Sequence, residues 1–150
     1  MADAEQPAGG TVTMAFFFYG TLMDSRVLAR IAGETVSPAC METAIIEGYR
    51  RVYVAGAWYP MLVAAAGGRV EGRLVHGLGR RAADAIVRYE GGGYVQRQVT
   101  VETASRGPVP AWTFMARPGV EASAEEWRLD SWRRRHKKRY LRLTEAGLEE

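Results

Sequence analysis

The apolar positions change period along the chain. Thr13-Met14-Ala15-Phe16-Phe17-Phe18-Tyr19 is too short for a typical helix and carries four consecutive aromatics, which predicts a strand buried on both faces and ending at Gly20. A helix follows, with Asp24 or Ser25 as cap, Val27, Leu28 and Ile31 on one apolar face, and Gly33 as the stop. Three β-rich segments come next: Ala44 to Val54, Tyr59 to Ala64 and Val70 to Leu78, separated by small residues and glycines. Helical spacing returns from Arg81 to Glu90 and ends at Gly91-Gly92-Gly93. Two further strands are predicted, Tyr94 to Val101 and Val109 to Ala116. Ser123 with Glu126 forms a capping-box pattern, predicting a helical region to about Leu143, broken near Asp130.

About six strands intermixed with short helices, without regular β-α-β alternation, read as α+β with a curled mixed sheet. Residues 1–12 read as a flexible N-terminal tail. Residues 13–150 read as one domain that includes a C-terminal helical extension over 123–146. The 150 residues are 47% hydrophobic and 25% charged, which excludes a disordered chain. A domain of this size removes roughly 70% of its unfolded-chain surface from water, so one core suffices.

The net charge of +3 would suit an anionic partner, but it is local. Arg133, Arg134, Arg135, Lys137, Lys138 and Arg139 carry six positive charges, so the rest of the chain carries −3. Trp132, His136 and Tyr140 recur at i, i+4 and i+8, which predicts an aromatic stripe laid on the body while Arg133 and Lys137 face water. A nucleic-acid surface would need aromatics on the basic face, so nucleic acid is not the expected partner. Cys40 is the sole cysteine and excludes an intramolecular disulfide. It reads as a small core residue. With His76 and His136 it shows no metal-ligand spacing, so no metal is expected. Neither a secretory signal nor a spanning helix is recognisable, and the expectation is a soluble, cytoplasmic protein with no membrane partner.

Two places could carry chemistry. At Tyr19-Gly20-Thr21-Leu22, a glycine between strand and helix lets a ligand approach the backbone, and the first amides of a helix suit an anion; the same glycine would equally serve a plain tight turn. Glu90 falls at a helix C-terminus, where the dipole disfavours negative charge by roughly 0.3–1 kcal/mol. That field, with burial beside Tyr89 and Tyr94, would raise the Glu90 pKa and favour proton exchange near neutrality. A solvated helix-end glutamate is the plainer alternative.

The ordered set Tyr19-Gly20-Thr21-Leu22, Tyr59-Pro60-Met61-Leu62, Val70-Glu71-Gly72-Arg73-Leu74, Tyr89-Glu90-Gly91, and Tyr94 with Arg97-Gln98-Val99-Thr100-Val101 resembles the gamma-glutamylcyclotransferase-like superfamily. It is most similar to the branch of plant avirulence-induced-gene proteins and gamma-glutamylamine cyclotransferases. The resemblance covers about residues 14–116, and the tryptophan-containing C-terminal helix is similar to an extension of bacterial members. It implies a small mixed β-barrel flanked by short helices, with a cavity at the Tyr19 to Leu22 loop. It also implies release of 5-oxoproline and an amine from a gamma-glutamyl amine or amide, without a cofactor.

On that resemblance, Glu90 takes the catalytic acid/base role, and Tyr19, Gly20, Thr21 and Leu22 form the substrate-binding loop. Strand alternation sends Tyr94 and Arg97 to opposite faces, and Tyr94 is the one expected at the cavity. Active relatives often place a tyrosine in the last core strand where this chain has Phe114, which removes one polar contact. Two other readings stand beside the enzyme: a non-catalytic small-ligand binder of the same fold, and a nucleic-acid interaction protein using the Arg133 to Arg139 segment.

Overall fold

The computed structural model describes residues 14–145. Residues 1–12, expected as a tail, lie outside the described residues, as do Thr13 and the final residue of the expected helical extension. Among the described residues there are six strands: β1 Met14–Phe18, β2 Met41–Val54, β3 Pro60–Leu78, β4 Tyr94–Thr103, β5 Gly107–Ala116 and β6 Ala122–Glu126. Four helices accompany them: α1 Ser25–Ala32, α2 Arg80–Glu90, α3 Leu129–Arg135 and α4 Lys137–Glu145.

The sheet runs in the order β3-β1-β5-β4-β2-β6, and an additional β2–β3 pairing closes its first five strands into a barrel. β1 pairs parallel with β5, with Phe16 opposite Trp112, and antiparallel with β3; the other pairings are antiparallel. The expected mixed barrel with flanking helices is therefore the observed fold. β6 adds to the C-terminal end of β2.

Alternation along β1 explains its aromatic run. Phe17 and Tyr19 join Ala44, Ile46, Leu62, Val70, Leu74, Val101 and Ala111, a cluster fed by all five barrel strands and by no helix, which fills the barrel. Phe16 and Phe18 instead join Val27, Leu28, Ile86, Tyr89, Trp132 and Tyr140, the cluster between the barrel wall and the helices. A strand between two cores needs large apolar side chains on both faces, as the sequence predicts.

Three expectations are corrected. Tyr59 to Ala64 and Val70 to Leu78 are not separate strands but parts of β3, which continues through Gly67-Gly68. The register against β2 shifts between Glu47 and Tyr49, and Gly67 has φ +78°, so these glycines bend a continuous strand at a barrel corner instead of making a turn. Second, Ser123 and Glu126 lie in β6, not at a helix start; the Ser123 hydroxyl accepts the Glu125 amide at 3.1 Å, a local turn-like bond with the look of a cap. Helix begins only at Leu129, and the break falls at His136 (φ −129°) and not near Asp130. Third, Cys40 is half-buried in the short turn Pro38–Cys40, outside both cores.

Candidate functional site

The site starts where β1 ends. Beyond Tyr19 the chain passes through Gly20 into a single 3-10 turn, Thr21–Met23. Gly20 has φ −121°, so no left-handed turn demands a glycine here. The demand is steric: a Cβ at Gly20 would stand 3.1 Å from Pro60 Cγ. The amides of Met23 and Asp24 are taken by the carbonyls of Gly20 and Thr21, both at 3.0 Å, whereas those of Thr21 and Leu22 stand at the turn's start, where no intrahelical acceptor exists.

Asp24 then caps α1. Its Oδ1 accepts the Arg26 and Val27 amides at 3.0 and 3.1 Å, and Gly33 ends the helix in the left-handed region. The other oxygen, Oδ2, accepts Arg133 Nε at 2.9 Å and Lys137 Nζ at 2.7 Å. The expectation that Arg133 and Lys137 face water holds only in part: Arg133 stays exposed and Lys137 is half-buried, but both also reach a carboxylate that is itself fully buried. The aromatic stripe does pack on the body, with Trp132, His136 and Tyr140 ring centroids 6.5, 5.9 and 5.1 Å from that of Trp58.

α2 delivers Glu90 as its last residue, half-buried, at the helix's negative end. β4 begins four residues later with Tyr94, whose hydroxyl donates to the Pro60 carbonyl at 2.6 Å, while Arg97 is exposed. Tyr19, Gly20, Thr21, Leu22, Glu90 and Tyr94 all line one cavity of about 30 Å³, so the residues singled out from sequence meet in space. Leu22 contributes chiefly backbone, because its side chain is packed into the helix-side core.

The Tyr19 hydroxyl donates to the Phe114 carbonyl at 2.5 Å. Burial pushes its pKa well above the usual 10, and the negative charge of Glu90 pushes the same way against a smaller opposing effect of Arg51. Tyr19 is therefore a permanent donor, not a proton carrier, and Glu90 is the acidic group that acts on it electrostatically. Arg51 secures the backbone behind it. Its Nη1 donates to the carbonyls of Tyr19 and Glu71, both at 3.0 Å, its Nε to Trp127 O at 3.1 Å, and its guanidinium lies 5.4 Å from the Trp127 ring centroid. A buried hydroxyl chain runs from Thr21 Oγ1, 3.3 Å from the Tyr89 hydroxyl, on to the Tyr140 hydroxyl of α4.

This constellation sits in a chain whose residues 16–134 match the family model described as Gamma-glutamyl cyclotransferase, AIG2-like. The chain belongs to that family. The AIG2-like match runs beyond residue 116, through β6 and most of α3. Among similar proteins are Protein AIG2 C of Arabidopsis thaliana, 25% identical over 138 residues, covering 89% of this chain and 80% of the relative. AIG2-like protein D of the same plant is 24% identical and covers 94% and 93%. A solution structure of an Arabidopsis thaliana protein superposes with a TM-score of 0.65 at 23% identity, covering 88% of each chain. A structure of a gamma-glutamyl cyclotransferase superposes at 0.59 and 13% identity over 74% of this chain and 69% of its own, a likeness of fold.

Within this AIG2-like site, Phe114 turns its ring to the helix-side core, stacked 6.0 Å from Phe16. Its carbonyl is what the site uses, as acceptor for Tyr19. Tyr59, Pro60, Tyr89 and Thr113 also line the cavity and were not singled out. Tyr59-Pro60 and Tyr89 stand within the motifs quoted above, so that signal was present. Thr113 was hidden, because its hydroxyl is spent on the Phe17 carbonyl at 2.8 Å, a pairing of residues 96 apart.

Proposed function

We propose that this protein is a gamma-glutamyl cyclotransferase-type enzyme that converts a gamma-glutamyl amine or amide into 5-oxoproline and the free amine. The observation that carries the reading is the half-buried Glu90 carboxylate sharing a cavity with the Tyr19 to Leu22 loop in a chain of this family. A peptide α-amine has a pKa of about 7.7–8.0, and the substrate's α-amine, beside its own free α-carboxylate, lies higher and is protonated at neutral pH, so it must lose a proton before it attacks. Glu90 accepts that proton. The α-nitrogen bonds to the γ-carbonyl carbon, closing a five-membered ring, and the collapse of the tetrahedral intermediate breaks the bond to the departing nitrogen. Glu90 returns its proton to that nitrogen and relays to it the second proton that the α-nitrogen sheds as the lactam forms, so the two protons lost by the α-ammonium leave on the departing ammonium ion and atoms and charge balance without water entering. A placed acid/base of this kind contributes about 10²–10⁴ in rate.

Nucleophile and electrophile belong to one molecule, so the protein's remaining task is to fold the glutamyl chain into an attacking conformation. The amides of Thr21 and Leu22 are suited to the substrate's α-carboxylate or the oxyanion, both of which are anionic. Tyr19, kept protonated by burial and by Glu90, forms an uncharged wall beside them. Tyr94, bonded to the Pro60 carbonyl, lines the same cavity.

The test is 5-oxoproline release from a panel of gamma-glutamyl amines, gamma-glutamyl amino acids and glutathione. Turnover of at least one, reduced about 10²-fold or more in Glu90→Gln, is expected. Saturable binding of a gamma-glutamyl compound with no release from any would replace this reading by that of a ligand-binding member of the family.

A further inference from the structure

We propose that Trp58, His136, Arg139 and Tyr140 form a second ligand site, separate from the Glu90 cavity, that takes a small flat aromatic acid and whose occupant steadies the Tyr19 to Leu22 loop. The four residues line a recess of about 310 Å³, at the small end of the roughly 300–1,000 Å³ range of small-molecule sites. None of them lines the cavity at Glu90. The recess has aromatic walls. The Trp58 ring is half-buried, Tyr140 meets it edge-on with centroids 5.1 Å apart, and the His136 ring lies 5.9 Å away at 32°. Both sides are held in place. The Trp58 carbonyl accepts Trp127 Nε1 at 3.1 Å, and the break between α3 and α4 at His136 sets His136 and Tyr140, one turn apart, against the same ring.

Charge selects the sign of the ligand. Arg139 is exposed at the recess, Arg142 follows it one turn later on α4, and no carboxylate stands among the described residues lining the space. A guanidinium presents a planar fork that matches a carboxylate, so an aromatic acid can pack its ring on Trp58 and place its oxygens at Arg139. An aromatic ammonium ion would meet a like charge there, and an aliphatic acid would lose the ring contact. The site also reaches the catalytic cavity by two routes. Trp58 and Tyr59 are consecutive, with rings 6.0 Å apart, and Tyr59 lines the cavity at Glu90. The Tyr140 hydroxyl bonds to that of Tyr89, which lies 3.3 Å from Thr21 Oγ1. A ligand that holds Trp58 and Tyr140 thus also holds Tyr59 and Thr21, and by linkage the aromatic acid and the substrate each tighten the other. Binding at the recess stands by itself, whereas its effect on KM rests on the cyclotransferase reading.

The experiment titrates the full chain with 1-naphthoate, cyclohexanecarboxylate and benzylamine by calorimetry, and repeats the 5-oxoproline assay with 1-naphthoate present. Saturable binding of 1-naphthoate is expected, about fivefold or more tighter than that of either other probe. Trp58→Leu weakens it by about fivefold or more, and Arg139→Gln, at an exposed position, by about twofold to fivefold; circular dichroism and melting check that both fold. Saturating 1-naphthoate lowers the KM of the gamma-glutamyl substrate about fivefold at unchanged kcat, and Tyr140→Phe keeps the binding but loses this effect. Absence of saturable binding, binding that neither Trp58→Leu nor Arg139→Gln weakens, a preference for benzylamine, or competition between 1-naphthoate and a gamma-glutamyl compound would overturn the site. Binding that leaves KM unchanged would overturn its link to the loop. If no gamma-glutamyl compound is turned over, the cyclotransferase reading fails, while 1-naphthoate binding still decides the site and mutual tightening with a bound gamma-glutamyl compound still decides the link.

Discussion

Replacing Asp24 with alanine removes two things at once. The first is the cap on α1, in which Oδ1 accepts the Arg26 and Val27 amides; losing such a cap costs about 1 kcal/mol. The second is the ion cluster in which Oδ2 holds Arg133 and Lys137. Removing one partner of a fully buried pair costs about 3–5 kcal/mol, but here the stranded groups are 43% and 26% exposed and regain water. The cost is then nearer that of one hydrogen bond to a charged group, about 1.5–3 kcal/mol. Asp24→Ala is thus expected to destabilise by about 2–4 kcal/mol, and Asp24→Asn, which keeps a capping oxygen, by about 1 kcal/mol less. Burial raises the Asp24 pKa, but hydrogen bonds from Lys137, Arg133 and the Val27 amide outweigh it, and the net shift is downward from 3.8. A depressed folded-state pKa gives stability that is present above the unfolded pKa and lost as pH falls through the folded one. The gap between wild type and Asp24→Asn is therefore flat above about pH 5 and shrinks below about pH 4. Urea unfolding at pH 7, 5, 4 and 3 measures it. A loss below about 0.5 kcal/mol in Asp24→Ala, or a gap unchanged down to pH 3, would refute the reasoning.

Tyr19→Phe leaves the Phe114 carbonyl without its donor and should cost about 1–3 kcal/mol; it should also delete one late-ionising tyrosine from an alkaline absorbance titration. Arg51→Met strands the carbonyls of Tyr19, Glu71 and Trp127 together, and a loss of at least about 2 kcal/mol in denaturant midpoint is expected, against a smaller loss in Arg51→Lys. Tyr140→Phe breaks the hydroxyl chain to Tyr89 and Thr21, so a loss of about 0.5–1.5 kcal/mol should accompany a higher KM for the gamma-glutamyl substrate, measured by steady-state 5-oxoproline release.

What the sequence discloses is mainly local. The Phe16 to Tyr19 run, the Asp24 cap with its Gly33 stop, and the glycines after Glu90 are signals written within a few residues, and each marks an observed element boundary. Gly67-Gly68 misleads because a glycine pair permits both a chain reversal and a bend in a continuous strand, and only the long β2–β3 ladder decides between them. Ser123 with Glu126 misleads for a related reason: the hydroxyl makes a short-range bond in β6 much as it would at a helix cap. The basic segment is solvated as read, except that Arg133 and Lys137 also pair with Asp24, 109 residues from Arg133, a contact no local pattern shows. At the site, the ordered motifs contain Glu90, the Tyr19 to Leu22 loop and Tyr59-Pro60, but the place of Thr113 in the lining arises from barrel closure, which no local pattern encodes.

The central claim is that Glu90 moves the proton during intramolecular aminolysis. The most direct measurement is single-turnover 5-oxoproline formation from a gamma-glutamyl amine by wild type and Glu90→Gln, with binding of the same compound followed in parallel by calorimetry. The account predicts that Glu90→Gln still binds the compound while 5-oxoproline formation falls by about 10²–10⁴. Formation at an undiminished rate in a folded Glu90→Gln protein would contradict it.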